Sequence, residues 1–122
     1  MKFTLYRFPD VIRYGERGGG PYVEAEKGIR KKRKIVPCEL VGVVYGESIY
    51  DVTDELVKII QDEMNLTYGG TSDVFGPTAD CDVLEVMSKE DFRYQMSAVT
   101  RGYDFEASKE IHLYFGIKEL AE

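Results

Sequence analysis

His112 is the single histidine of the chain, and Cys38 and Cys81 are its two cysteines. With Asp80 and Asp82, which flank Cys81, they are the groups from which a general base, a thiolate nucleophile or a metal cage would be assembled. If their three strands were neighbours, Cys38, Cys81 and His112 would converge as a Cys-Cys-His set. Zinc normally takes four ligands, or three and a water, and draws them from closely spaced cysteine pairs on a turn. The sequence has no such pair. His112 alternates with Ile111, Leu113 and Phe115, which predicts a surface or second-layer position on a strand. Asp80 and Asp82 would share one strand face, where with Asp73 they could hold a cation or simply begin a solvated strand. No catalytic residue, metal ligand or cofactor is assigned.

Nucleotide chemistry fares no better. The Gly-Lys-Ser/Thr phosphate loop is missing, and Gly18-Gly19-Gly20 runs into Pro21 and a β-like segment. No helix N-terminus follows to receive a phosphate. Gly46-Glu47-Ser48 reads as a turn, not as the elbow of a hydrolase nucleophile.

Charge says more than motifs. The 122 residues carry 16 basic and 22 acidic side chains, a net charge of −6. Residues 1–46 hold ten basic and five acidic groups, and the remainder holds six and seventeen. Six positive charges fall within residues 27–34. On a hairpin arm, Arg30, Lys32 and Lys34 would point to one side and Lys31 and Arg33 to the other. Arg13, Tyr14, Arg17 and Tyr22 could add the stacking groups that single-stranded nucleic acid uses. The competing reading is a solvated edge strand whose lysines discourage sheet pairing. The acidic half presents Asp54, Glu55 and Asp62 on a helix face, suited to a basic protein partner. Thr71, Ser72, Asp73 and Phe75 lie in a stretch, residues 68–80, that reads as a long loop with donors, acceptors and an aromatic anchor.

These groups need elements to carry them. Residues 3–8 alternate and read as a strand, with a turn at Pro9-Asp10 and a short strand over residues 11–14. Residues 15–21 hold four glycines and a proline and read as a flexible loop. Residues 22–26 and 29–36 suggest a hairpin. Residues 38–45 place valines on both faces and predict a central strand, covered on each side. Val52, Leu56, Ile59, Ile60 and Met64 define one face of a helix, capped by Asp51 or Thr53. Residues 81–87 read as a strand. Ser88 then caps a second helix whose buried stripe is Phe92, Met96 and Val99, ending at Gly102. Residues 111–117 form a last strand, and 120–122 a frayed end.

The sum is a single α+β domain over residues 1–122, with a mixed or mainly antiparallel sheet of about five to seven strands and two helices packed on it. No stretch approaches the length of a membrane-spanning helix, and no signal peptide is indicated, so the expected location is cytoplasmic. The sequence resembles no family by a defensible signature. The expected role is a small non-enzymatic protein-binding or regulatory module, with the texture of a phage or mobile-element accessory protein. A nucleic-acid-binding protein using Arg30, Lys31, Lys32, Arg33 and Lys34 is the alternative. A small enzyme built on His112, Cys81, Asp80 and Asp82 stands third.

Overall fold

The computed structural model describes residues 1–16, 21–22, 37–69, 71–104 and 109–121. Among the described residues six strands and two helices follow in the order β1 (Lys2–Glu16), β2 (Pro21–Tyr22), β3 (Glu39–Tyr45), α1 (Ile49–Tyr68), β4 (Thr71–Thr78), α2 (Asp82–Met87), β5 (Tyr94–Asp104) and β6 (Lys109–Leu120). The sheet order is β2-β1-β6-β5-β4, with β3 also against β1, and every ladder is antiparallel. Five of the strands are seven residues or longer, and β2 has two.

β1 is the axis of the sheet. Its first half pairs with β3 on one side and β6 on the other, and Tyr14 and Gly15 pair with Tyr22 and Pro21. The turn expected at Pro9-Asp10 is instead a break in register inside one strand. Between Arg7 and Ile12, five steps of β1 face the two from Phe115 to Leu113 on β6. Proline has no N–H for the ladder, so the chain bulges there and pairing resumes beyond it. The expected hairpin over residues 22–26 and 29–36 lies, beyond Tyr22, outside the described residues.

Alternation sorts side chains to two faces. On one, Phe3, Leu5, Leu113, Phe115, Ile117, Met96 and Ala98 pack against Val52, Leu56, Ile60 and Met64 of α1. Arg7 fastens the end of this helix: its Nη1 donates to Glu63 Oε2 and to Thr67 Oγ1, both at 3.3 Å, while Nε lies 3.6 Å from Glu39 of β3. On the other face, Tyr6, Phe8 and Tyr114 meet Phe92, Cys81 and Leu84. The Phe92 ring stands edge-on to Tyr6 and Phe8, with centroids 5.6 Å from each. A Cβ on Gly116 would sit 2.5 Å from that ring, so this position of β6 has to be glycine for the segment to close down.

Further expectations about elements are overturned. Residues 81–87 contain a helix, because six residues with apolar groups at 83, 84, 86 and 87 satisfy either period. The second helix is strand β5, in which Met96, Ala98 and Thr100 face inward at a period of two. The spacing of Phe92, Met96 and Val99 mimics a helical stripe, but pairing with both β4 and β6 decides the matter. Ser88, expected to start a helix, ends α2, and its N–H donates to the Leu84 carbonyl. Residues 38–45 are not central and doubly covered: among the described residues β3 pairs with β1 alone and leaves Leu40, Val43 and Tyr45 exposed. Leu120, expected to fray, pairs with Lys2.

Candidate interaction surfaces

α1 begins one turn earlier than its hydrophobic stripe indicates. Ser48, rather than Asp51 or Thr53, occupies the cap, and its backbone N–H donates to Asp51 Oδ2 at 3.0 Å. This is the return half of a capping box, with aspartate in the third helical position. Thr53 donates its hydroxyl to the Ile49 carbonyl at 2.9 Å. With Val52, Leu56, Ile60 and Met64 buried, the helical period turns Asp51, Glu55, Lys58 and Asp62 directly outward, and Asp54 lies on the shoulder of the same face. Two large apolar side chains stand in solvent at its ends, Tyr50 at 85% exposure and Leu66 at 87%. Asp54, Glu55 and Asp62, singled out from sequence, thus share one exposed surface. Tyr50 and Leu66 were missed; both break the helical pattern, which is the signal that could have found them.

The expected loop over residues 68–80 is mostly strand β4, which among the described residues lies at the edge of the sheet. Thr71, Ser72, Asp73 and Phe75 are ladder residues, opposite Arg101, Thr100, Val99 and Ser97 of β5. Ser72 and Asp73 are half-buried on opposite faces, so they do not act together. Phe75 projects on the face away from α1 and is 53% exposed. After it the register breaks at Gly76, whose φ of 102° and close approach to the Gln95 carbonyl exclude a side chain. Glycine and proline spacing, read as loop, here marks a bulge in an edge strand. Arg30, Lys31, Lys32, Arg33 and Lys34 lie outside the described residues.

The two cysteines considered for catalysis meet one cluster on the face away from α1. Cys81 caps α2 and is buried in the far-face cluster, against which Cys38 also packs. Burial pushes the Cys81 thiol above its ordinary range, and Glu85, Asp80, Asp82 and Asp91 push it further. Burial also raises Cys38, with a smaller contribution from Glu90 opposed by Lys118. Neither environment favours a thiolate. Asp80 Oδ1 accepts from the Asp82 N–H at 3.1 Å, so the two carboxylates shape the start of α2 instead of sharing a strand face. His112 is on β6 with Arg13 and Val99 as its ladder partners, and neither neighbour is a cysteine. Among the described residues no group of three His, Cys, Asp or Glu is placed to hold a metal ion.

A cleft of about 290 Å³ opens beside α2, lined by Cys81, Glu85, Asp91, Phe92, Arg93 and Glu119 along with Ala79. Arg93 Nε lies 3.9 Å from Glu119 Oε2 across it. At its neighbouring rim Lys118 donates to Glu90, a bond that raises the lysine above its usual range, and its Nζ lies over the rings of Tyr6 and Phe92. No helix among the described residues is long and apolar enough to cross a membrane. No family model, curated protein or solved structure matches the chain.

Proposed function

We propose that the chain is a protein-binding module that presents the outer face of α1 to a basic partner. The observation that carries this reading is the composition of that face: Asp51, Asp54, Glu55 and Asp62 against Lys58, with Tyr50 and Leu66 exposed at its ends. Carboxylates steer a cationic partner and set its orientation, while the two apolar side chains supply area that gains energy only when covered.

Photo-crosslinking from Tyr50 and Leu66 tests the reading. A partner should be captured from both positions, and capture should fall with salt. The combined substitution Asp54→Lys, Glu55→Lys, Asp62→Lys should reduce it by about tenfold or more, since three charge reversals each cost roughly 0.5–1 kcal/mol at an exposed interface. Capture that ignores both salt and the triple substitution would remove the acidic face from consideration.

A second reading is favoured by the six positive charges within residues 27–34, which suit a nucleic-acid phosphate backbone. Anisotropy with labelled single-stranded DNA, duplex DNA and RNA at about 50 and 200 mM salt separates it from the first, because counterion release predicts a steep loss of affinity between the two. Replacing Lys31, Lys32, Arg33 and Lys34 together should abolish that binding and leave α1-directed capture intact.

A further inference from the structure

The exposed residues of α1 fall into an ordered row. Tyr50, Asp54, Lys58, Asp62 and Leu66 follow one another at steps of four, and all five are exposed. Four helical residues advance about 6 Å along the axis and turn about 40°, so these side chains form one unbroken ridge about 24 Å long. Its order is apolar, acidic, basic, acidic, apolar. Val57 and Gln61 on one side of it and Ile59 and Glu63 on the other are half-buried, so the ridge stands above its flanks along the middle. Among the described residues Asp54, Lys58 and Asp62 enter no ion pair, although they neighbour one another on the helix surface.

We propose that this ridge packs into the surface groove of an α-helix of a partner protein, one that carries the reciprocal order apolar, basic, acidic, basic, apolar at the same spacing. The inference rests on the reading of α1 as a surface for a basic partner, and it names the partner's structure. A helix fits because its own rows of every fourth residue share the repeat and inclination of the ridge, and two such surfaces interdigitate at a crossing angle of about −50°. Contact along the whole ridge takes about 17 residues of partner helix. Basic groups then meet Asp54 and Asp62, an acidic group meets Lys58, and apolar side chains cover Tyr50 and Leu66 at the two ends. The same charges select against other occupants. A polyanion is repelled by Asp51, Asp54, Glu55 and Asp62. The α1 of a second copy, laid antiparallel, would set Lys58 on Lys58 and Asp54 on Asp62, like against like.

The probe is a labelled, alanine-based helical peptide of about 21 residues with Leu, Arg, Glu, Arg and Leu at steps of four, titrated with the full chain by fluorescence anisotropy. A second peptide exchanges its leucines and arginines, which keeps composition, net charge and helicity and changes only the order. The ordered peptide should bind at least about tenfold more tightly than the exchanged one. Lys58→Glu in the chain should weaken the ordered peptide by about threefold or more, since it sets like charges against each other at an exposed contact. Replacing the peptide's central Glu with Arg should restore binding to that variant by more than it changes binding to the wild type. Lys58 is exposed, so its substitution leaves the fold in place, and circular dichroism verifies this. Equal binding of the two peptides overturns the ridge-in-groove proposal, as does an ordered peptide that fails to bind at about 200 µM or a central charge swap that rescues nothing. The underlying reading of α1 is decided separately, by capture from Tyr50 and Leu66, so the two can fail independently.

Discussion

The two faces of the sheet are sealed in different ways. Under α1, a regular helix lays Val52, Leu56, Ile60 and Met64 onto side chains of β1, β5 and β6, and thirteen buried residues form one continuous cluster. On the far face an irregular run closes over the sheet, and among the described residues the apolar cluster there is Phe8, Cys81, Leu84, Phe92 and Tyr114. The first face draws its stability from area, because each buried aliphatic side chain contributes about 1.5–3 kcal/mol. The second depends on fit, since one ring rests on one glycine. A broad core tolerates small losses, and a narrow one does not.

Leu56→Ala, at the centre of the larger cluster, should have the greatest effect. A loss of about 3 kcal/mol is expected from a fully buried leucine, read from urea denaturation. Both faces should unfold together, because β1 and β6 contribute to each. Separate transitions by circular dichroism and by Cys81 alkylation would contradict that cooperativity.

Gly116→Ala strikes the other face. The added Cβ meets Phe92 at 2.5 Å, so the ring must leave, at a cost of about 1–3 kcal/mol. The distinguishing readout is the Cys81 thiol, buried beneath that segment. Its alkylation should accelerate more in Gly116→Ala than in Leu56→Ala at equal global stability. Equal acceleration would mean that the far face has no opening of its own.

Asp51→Ala removes the acceptor for the Ser48 N–H and should cost about 1 kcal/mol, as lost caps do. It tests how much of the first face rests on the helix start, and thermal melts suffice to measure it. Lys118→Met should give the smallest change, about 0.5–1 kcal/mol for a partly exposed ion pair. Its pH dependence is specific. The bond to Glu90 holds the folded lysine above its ordinary 10.5, so its stabilisation is complete below that value and disappears as pH rises through the raised one. Wild type and variant should therefore differ at pH 7 and converge in strong alkali.

Local chemistry was enough for some elements. The α1 stripe spans four turns, so its period is unmistakable, and the alternation of Leu113, Phe115 and Ile117 has no helical rival. Short or mixed patterns were not enough. Residues 82–87 are too few to show a period, and Phe92, Met96 and Val99 fit a helix numerically while the chain around them forms a strand. The acidic residues Asp54, Glu55 and Asp62 were legible as a surface because the helix under them was. Thr71, Ser72, Asp73 and Phe75 were grouped by nearness in sequence, and the pleat of β4 divides them between two faces.

By itself the sequence determined the α+β class, the long amphipathic helix with its acidic outer face, and the separation of basic from acidic halves. These follow from composition and from periodicities within a few residues of each other. Tertiary structure alone decided that Pro9 interrupts a ladder without ending a strand, that β3 and β4 each have one partner strand among the described residues, and that Phe92 docks on Gly116. Each of those depends on partners far away in the chain, such as Phe115 opposite Arg7, and a chain's own sequence order does not encode which strand will lie beside it.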